Sequence, residues 1–170
     1  MLTPDELELG YQAWRLMPDR LIGYPSRWHY MENNKWVYDA TWSNDASIIL
    51  TGAAFYHNYF NYVYHYHTPQ NLLDYVDSDM NCEDILMNFV IQNATQKAPI
   101  KVTPRKFFKS PTQSISGHKG HIHTRATCLN VMVETYGKMP LQSIDFRVDP
   151  VLYNIEGTED INTFNNVGSL

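Results

Sequence analysis

The residues best placed to do chemistry are a cysteine and two adjacent acids at the start of an apolar helical pattern. Residues 81–84 read Asn-Cys-Glu-Asp, and apolar residues recur at helical spacing after them as far as Val90. Free backbone N–H groups and the helix dipole favour anions at a helix N-terminus. Glu83 and Asp84 therefore either complement the dipole and nothing more, or serve as a reacting pair.

Cys82 has one other cysteine in the chain to pair with, Cys128. A bridge between them would stabilise the fold by about 4 kcal/mol in the chain-entropy model. Arg125 lies three residues before Cys128, and Asp84 lies two residues after Cys82. The bridge would thus hold a carboxylate near a guanidinium, an arrangement suited to stabilising a departing diphosphate beside a reacting carbon.

Histidines form a second group of candidates, in two His-x-His pairs at 65–67 and 121–123 with His118 close to the second. Zinc would require three or four converging ligands. Side chains at i and i+2 of a helix do not face each other. We therefore do not expect these histidines to bind a metal.

A local basic stretch, 101–109, is the third candidate. Its lysines and arginine surround Phe107 and Phe108 in a chain whose net charge is −5. Such a segment could meet a phosphate or an acidic polysaccharide, and the alternative is a solvated sheet edge.

Periodicity and chain breakers predict alternating helices and strands in a single domain. Helices are predicted over 3–17, 53–66, 70–79, 83–93 and 121–136, and strands over 20–24, 28–30, 35–38, 46–51, 100–103 and within 144–153. The polar residues 32–34 predict a hairpin turn between the second and third strands. Residues 109–120 are predicted to form a surface loop.

Composition narrows the class of protein. The chain has 170 residues, 44% of them hydrophobic and 14% aromatic, with 12 tyrosines that suit either a carbohydrate-handling surface or an aromatic core. The acidic balance argues against nucleic-acid binding. No apolar run reaches the length of a membrane span, and no signal peptide is evident.

The sequon Asn93-Ala94-Thr95, together with the cysteine pair, favours glycosylation at Asn93 and an oxidising secretory compartment.

Several familiar catalytic motifs do not occur. The sequence has no glycine-rich phosphate loop, no Gly-x-Ser-x-Gly and no His-Glu-x-x-His.

Longer strings of residues resemble the C-terminal transferase domain of the exostosin family, glycosyltransferase family 64. They are Met1-Leu2-Thr3-Pro4-Asp5-Glu6-Leu7, Asp19-Arg20-Leu21-Ile22-Gly23-Tyr24-Pro25, Leu50-Thr51-Gly52-Ala53-Ala54-Phe55-Tyr56-His57, Asn81-Cys82-Glu83-Asp84-Ile85, Ile100-Lys101-Val102-Thr103-Pro104-Arg105-Lys106 and Asp149-Pro150-Val151-Leu152-Tyr153. The similarity covers the whole chain, 1–170.

The resemblance implies the C-terminal portion of an α/β GT-A fold, which binds nucleotide sugars. It also implies manganese-dependent, retaining transfer of N-acetylglucosamine from UDP-GlcNAc to a growing heparan sulfate chain. The family resemblance further implies a membrane-anchored protein in the lumen of the Golgi apparatus or endoplasmic reticulum. It also implies that this protein acts with a second exostosin subunit.

The same resemblance implies roles for individual residues. Asp84 takes the position of the catalytic carboxylate, where it would act as a nucleophile or stabilise an oxocarbenium-like transition state. Cys82 and Cys128 match the family disulfide, and Tyr38 lies on the acceptor side. The residues implied to lie in the substrate and donor site are Glu83, Asn81, Arg27, Lys109 and Arg125.

This sequence departs from the family pattern in one important respect. The family's acidic triplet, which binds manganese and diphosphate, stands just before the position of Met1. We therefore expect the metal ligands upstream and expect residues 1–170 alone to be inactive. A non-catalytic subunit, or an inactive fragment that stabilises a partner transferase, is the alternative interpretation.

Overall fold

A computed structural model describes residues 4–41, 43–104 and 121–150. The helices are α1 (Pro4–Leu16), α2 (Tyr59–His67), α3 (Gln70–Asp79), α4 (Glu83–Thr95) and α5 (His121–Tyr136). The strands are β1 (Ile22–Gly23), β2 (Ser26–Glu32), β3 (Lys35–Asp39), β4 (Ile48–Ile49), β5 (Ala54–Phe55), β6 (Ile100–Val102) and β7 (Arg147–Val148), and a short 3-10 helix spans Thr51–Ala53. The predicted mixed α/β class is confirmed.

Two sheets organise the strands. The four-stranded sheet has the order β5-β1-β6-β7, in which β1, β6 and β7 run parallel and β5 is antiparallel. The three-stranded sheet has the order β3-β2-β4 and is antiparallel throughout. Asn33 and Asn34 join β2 to β3 with φ of 48° and 59°. Two successive positive φ angles match the twist of a hairpin, so the predicted hairpin is confirmed.

Helix α4 lies at the centre of the molecule. Every residue from Asp84 to Gln92 is buried, and α4 contacts α2, α5 and β4. The sequence predicted a single apolar face on this helix. Burial on all sides instead requires its polar side chains to find partners within the protein.

Helix α1 forms within its predicted range, but helical spacing identifies its buried face only in part. The spacing predicts Leu7, Tyr11 and Trp14 on one apolar face; Trp14 is half-buried, Leu7 and Tyr11 are 46% and 40% exposed, and Gly10 and Ala13 are buried. A Cβ atom on Gly10 would lie 2.8 Å from Cε2 of Phe55. Small residues face inward because they let aromatic rings approach the helix backbone.

The helix predicted over 53–66 is wrong in its first part. Ala54 and Phe55 form an edge strand that pairs with β1, and α2 begins only at Tyr59. The Nδ1 atom of His57 accepts the N–H of Tyr59 at 3.1 Å, which satisfies one donor of the first helical turn. Sheet pairing therefore overrides the helical spacing of the aromatic residues here.

The remaining elements lie close to their predicted positions. Helix α5 ends before Gly137, whose φ of 68° is the left-handed conformation typical of a residue after a helix. Leu72 and Val76 of α3 are buried, and Leu73 is half-buried. The predicted loop 109–120 lies outside the described residues.

Candidate functional site

Asp84 and Arg125 form a buried ion pair at the meeting point of α4 and α5. The Nη2 atom of Arg125 donates to Oδ2 of Asp84 at 2.9 Å, and the two side chains are only 8% and 5% exposed. The sequence predicted this proximity from the positions of the two cysteines, and the prediction is confirmed. Charges this deeply buried persist because each has its partner.

Tyr38 of β3 completes a three-residue cluster with this pair. The Nη1 atom of Arg125 donates to the hydroxyl oxygen of Tyr38 at 3.0 Å, and the guanidinium carbon lies 5.3 Å from the centroid of the ring. Residues predicted for the donor side, the reacting carbon and the acceptor side thus lie within one cluster, here called the Asp84–Arg125–Tyr38 triad.

A disulfide fixes the helices that carry the pair. Cys82 and Cys128 are bonded, with their Cα atoms 6.4 Å apart. Cys82 caps α4 with a φ of 73°, and its carbonyl oxygen accepts the N–H of Leu86 at 2.9 Å. The bridge therefore anchors α4 at its first turn, two residues before Asp84. The predicted disulfide is confirmed.

The N-terminus of α4 adds a second favourable interaction for the charge of Asp84. Its Oδ1 atom accepts the backbone N–H of Ile85 at 2.8 Å. A carboxylate in the first turn of a helix also lies at the positive end of the helix dipole. Asp84 thus uses one oxygen for the helix backbone and the other for Arg125.

Burial and charge act in opposite directions on the triad. Burial lowers the pKa of Arg125, but the negative charge of Asp84 and the contact with Tyr38 outweigh it, and the pKa is raised. Burial raises the pKa of the Tyr38 hydroxyl, while the positive charges of Arg125 and Arg27 oppose that increase. The cluster is therefore a compact, low-dielectric arrangement of one anion, one cation and one neutral hydroxyl.

Arg27, Asn81 and Glu83 stand around the triad in different environments. Arg27 is half-buried on β2, and its Nη1 donates to the carbonyl of Ser26 at 2.8 Å. Asn81 is buried, and its Oδ1 accepts the N–H of Cys82 at 2.8 Å. Glu83 is exposed. Neighbouring acids at 83 and 84 therefore face solvent and core respectively.

The remaining residues named from the sequence are Lys109, Lys101 and Asn93. Lys109 falls outside the described ranges. Lys101, predicted to lie in a solvated edge or a polyanion-binding stretch, is buried on β6 and donates from Nζ to the carbonyl of Ser43 at 3.2 Å. Asn93 lies near the end of α4, where it is half-buried. Burial of Lys101 rules out the solvated edge at that position.

Sequence reasoning missed Tyr64. Burial, followed by the negative charges of Glu83, Asp77 and Asp84, raises the pKa of its hydroxyl to about 12. Helix α2, which carries Tyr64, contacts α4. One tyrosine among many in this segment gives no signal that could have identified it.

Sequence reasoning also missed two asparagines, Asn88 and Asn130. Both make hydrogen bonds to strand backbones. Asn88 stands within an apolar run of α4, and an unexplained polar residue there is a signal that could have been used.

Comparison with known proteins decides the family. Residues 1–153 match the glycosyl transferase family 64 domain. This chain belongs to glycosyl transferase family 64. The matched residues include the whole triad, both cysteines and all of the described elements, so the family 64 resemblance is confirmed.

Curated relatives of family 64 match across most of the chain. Exostosin-2 of Homo sapiens is 49% identical over 176 residues, which cover 100% of this chain and 24% of that protein. Exostosin-1 of Drosophila melanogaster is 44% identical over 157 residues, covering 90% of this chain and 21% of the relative. Exostosin-1a of Danio rerio is 40% identical over 161 residues, covering 90% and 22%. This family 64 chain thus spans about a quarter of the length of these relatives.

The described part of the family 64 chain does not supply a manganese site. Within residues 4–41, 43–104 and 121–150, no group of three histidine, cysteine, aspartate or glutamate side chains could hold a metal ion. The buried carboxylate of Asp84 is engaged by Arg125. Manganese therefore remains a prediction concerning residues outside these ranges.

No helix within residues 4–41, 43–104 and 121–150 is long and apolar enough to cross a bilayer.

Proposed function

We propose that this domain catalyses sugar transfer at the Asp84–Arg125–Tyr38 triad. The observation that carries the proposal is the buried ion pair of Asp84 with Arg125, placed at a helix N-terminus in a glycosyl transferase family 64 domain. Transfer from a nucleotide sugar needs negative charge near an electron-poor anomeric carbon and positive charge near the departing diphosphate. The pair offers both charges on rigid elements.

The division of labour follows from the position of each group. Asp84 stabilises the positive charge that develops at the anomeric carbon. Arg125, held beside Asp84 at 2.9 Å, presents its positive charge to the departing diphosphate without leaving that position. Tyr38 holds the guanidinium in place through its hydroxyl. Arg27, whose charge reaches Tyr38, adds positive potential on the same side.

The finer assignment is retaining transfer of N-acetylglucosamine from UDP-GlcNAc to a heparan sulfate chain, within a GT-A fold. Its support is the family membership and the 49% identity to a protein named exostosin-2. The matches to proteins named exostosin-1 support a second exostosin subunit as partner. The disulfide supports a location in the oxidising lumen of the Golgi apparatus or endoplasmic reticulum.

A donor and acceptor survey of the full-length protein that carries this domain tests the assignment. The full-length protein is incubated with manganese, a panel of UDP-sugars and an oligosaccharide that ends in glucuronate. The proposal predicts transfer from UDP-GlcNAc, with the anomeric configuration of the donor retained in the product by NMR. Transfer of a different sugar, or inversion of configuration, would overturn the finer assignment.

A structural role is the second candidate, and the burial of the ion pair is the observation that favours it. Buried, bridged charge pairs also occur in proteins where they only hold a core together. If the domain merely stabilises a partner transferase, Asp84→Asn should reduce recovery of the complex and leave turnover per complex unchanged. Under the catalytic proposal the complex persists and turnover falls.

A further inference from the structure

The side-chain carboxamide of Asn130 on α5 hydrogen-bonds to both the N–H and the carbonyl of one strand residue, as the backbone of a neighbouring strand would. Its Nδ2 donates to the carbonyl of Trp36 at 2.8 Å, and its Oδ1 accepts the N–H of Trp36 at 3.0 Å. Trp36 lies on β3, two residues before Tyr38. The same Nδ2 also donates to the carbonyl of Ala126 at 2.8 Å, on its own helix.

Asn88 of α4 makes the same set of contacts with a different strand. Its Nδ2 donates to the carbonyl of Ile49 at 2.8 Å, and its Oδ1 accepts the N–H of Ile49 at 3.0 Å. That Nδ2 also donates to the carbonyl of Asp84 at 2.8 Å. In both helices, one carboxamide thus joins a strand residue to the carbonyl four residues earlier.

The two carboxamides cover the two outer edges of a single sheet. In the order β3-β2-β4, both β3 and β4 pair with β2 on one side only. Edge strands expose N–H and C=O groups that need partners when buried. Asn130 supplies those partners for β3, and Asn88 supplies them for β4.

The elements that meet at these two edges carry the triad. Helix α5, held by Asn130, bears Arg125, and β3, the strand it holds, bears Tyr38. Helix α4, held by Asn88, bears Asp84 directly at the bonded carbonyl. The disulfide then joins α4 to α5. A displacement of α5 along β3 would move Arg125 relative to Tyr38 and Asp84 together.

We propose that Asn130 and Asn88 are positioning residues for sugar transfer: they fix α5 and α4 on the edges of the β3-β2-β4 sheet so that Arg125 meets Asp84 and Tyr38. The proposal rests on the proposed function of the triad. Neither asparagine needs to touch substrate. Asn130 acts through Arg125, and Asn88 acts through Asp84.

Asn130→Asp in the full-length protein is the most informative variant, since Asn130 is only half-buried whereas Asn88 is fully buried. The substitution keeps the size of the side chain but replaces the Nδ2 donor with an oxygen that faces two carbonyl oxygens. We expect kcat to fall roughly 10- to 100-fold, because small misplacements of a reacting group have effects of that size. Asn130→Ser, which removes the carboxamide without adding a charge, should give the same direction of change.

Val133→Ala is the matched control. Val133 lies on the same helix and packs half-buried against the core cluster that contains Cys128, Leu129 and Met132, but it makes no hydrogen bond to β3 among the described contacts. Its loss should lower thermal stability while kcat stays within about twofold, a change well below 1 kcal/mol. A fall in kcat equal to that of Asn130→Asp would show that helix stability alone accounts for the effect, and would overturn the proposal.

A double-mutant cycle with Arg125→Lys separates positioning from general destabilisation. If Asn130 acts through Arg125, Asn130→Asp should change kcat much less in the Arg125→Lys background than in the wild type. Fully additive effects would contradict the proposal. Hydrogen exchange of the Trp36 amide provides a readout without turnover: we expect protection in the wild type and its loss in Asn130→Asp. An inactive wild type would contradict the proposed function. An unprotected Trp36 amide in the wild type would instead contradict the role of Asn130 in holding α5 on β3.

Discussion

Arg125 donates to Asp84 across the junction of two helices at 2.9 Å, and a disulfide joins those helices within a few residues of both groups. A buried pair of this kind is fixed in position before any ligand arrives. Preorganised charges of this kind are effective in catalysis because they need no rearrangement as charge develops in the transition state.

The disulfide should contribute a large share of the stability of the fold. The double variant Cys82→Ser/Cys128→Ser removes a bridge across a sequence separation of 46 residues. The chain-entropy model predicts a loss of about 4 kcal/mol in the free energy of unfolding. Denaturant unfolding measures it, with reduced wild-type protein as the comparison. A loss below about 1 kcal/mol would show that the unfolded chain gains little freedom without the bridge.

The hydroxyl of Tyr38 should matter for turnover more than for folding. Tyr38→Phe removes the acceptor of the Arg125 Nη1 bond and leaves the ring that packs against the guanidinium. We expect a stability loss of about 1 to 2 kcal/mol and a fall in kcat on the order of 10-fold.

Tyr56→Phe is the control for that variant. It removes an exposed hydroxyl that donates to Oδ1 of Asn61 at 3.1 Å. Both measurements should stay near wild type. Equal kinetic losses in the two variants would argue that Tyr38 has no special place in the reaction.

Much of this arrangement could be predicted from the sequence, because its signals are local. The start of α1 at Pro4, the two-asparagine hairpin turn and the glycine after α5 each follow from backbone preferences of a few residues. The nearness of Asp84 and Arg125 could be predicted because a covalent bond converts sequence spacing into distance.

The rest depends on contacts that spacing does not encode. Helical periodicity in 53–66 was overridden when Ala54 and Phe55 paired with β1. The roles of Asn88 and Asn130 depend on which strand edge each helix meets, which is decided only by the tertiary fold. Lys101 was predicted at a solvated edge or a polyanion site, and burial of its strand shows that local charge does not reveal exposure.

Acidification should weaken the fold through His29. Burial lowers the pKa of this imidazole to about 4, and its Nδ1 lies 2.7 Å from Oγ of Ser47. Between pH 4 and the ordinary pKa near 6.5, the unfolded chain binds the proton and the folded protein does not. Stability therefore rises with pH across this window and is lost as pH falls.

Urea unfolding at pH 7 and pH 5 measures that dependence. We expect the wild type to lose about 1 to 2 kcal/mol from this group on going to pH 5, and His29→Gln to lose correspondingly less. His65→Gln, at an exposed histidine of α2, should keep the wild-type dependence. An unchanged pH dependence in His29→Gln would contradict the assignment of the effect to His29.

The most direct test of the central claim is the turnover number of Asp84→Asn in the full-length protein, beside the surface control Asp74→Asn. Asp74 is an exposed carboxylate of α3 that accepts from Gln70 at 2.8 Å. We predict that Asp84→Asn lowers kcat per folded molecule roughly 10²- to 10³-fold, beside a loss of stability because Arg125 loses its buried partner, while Asp74→Asn stays at the wild-type rate. Full transfer activity in Asp84→Asn would contradict the claim that this buried carboxylate carries the reaction.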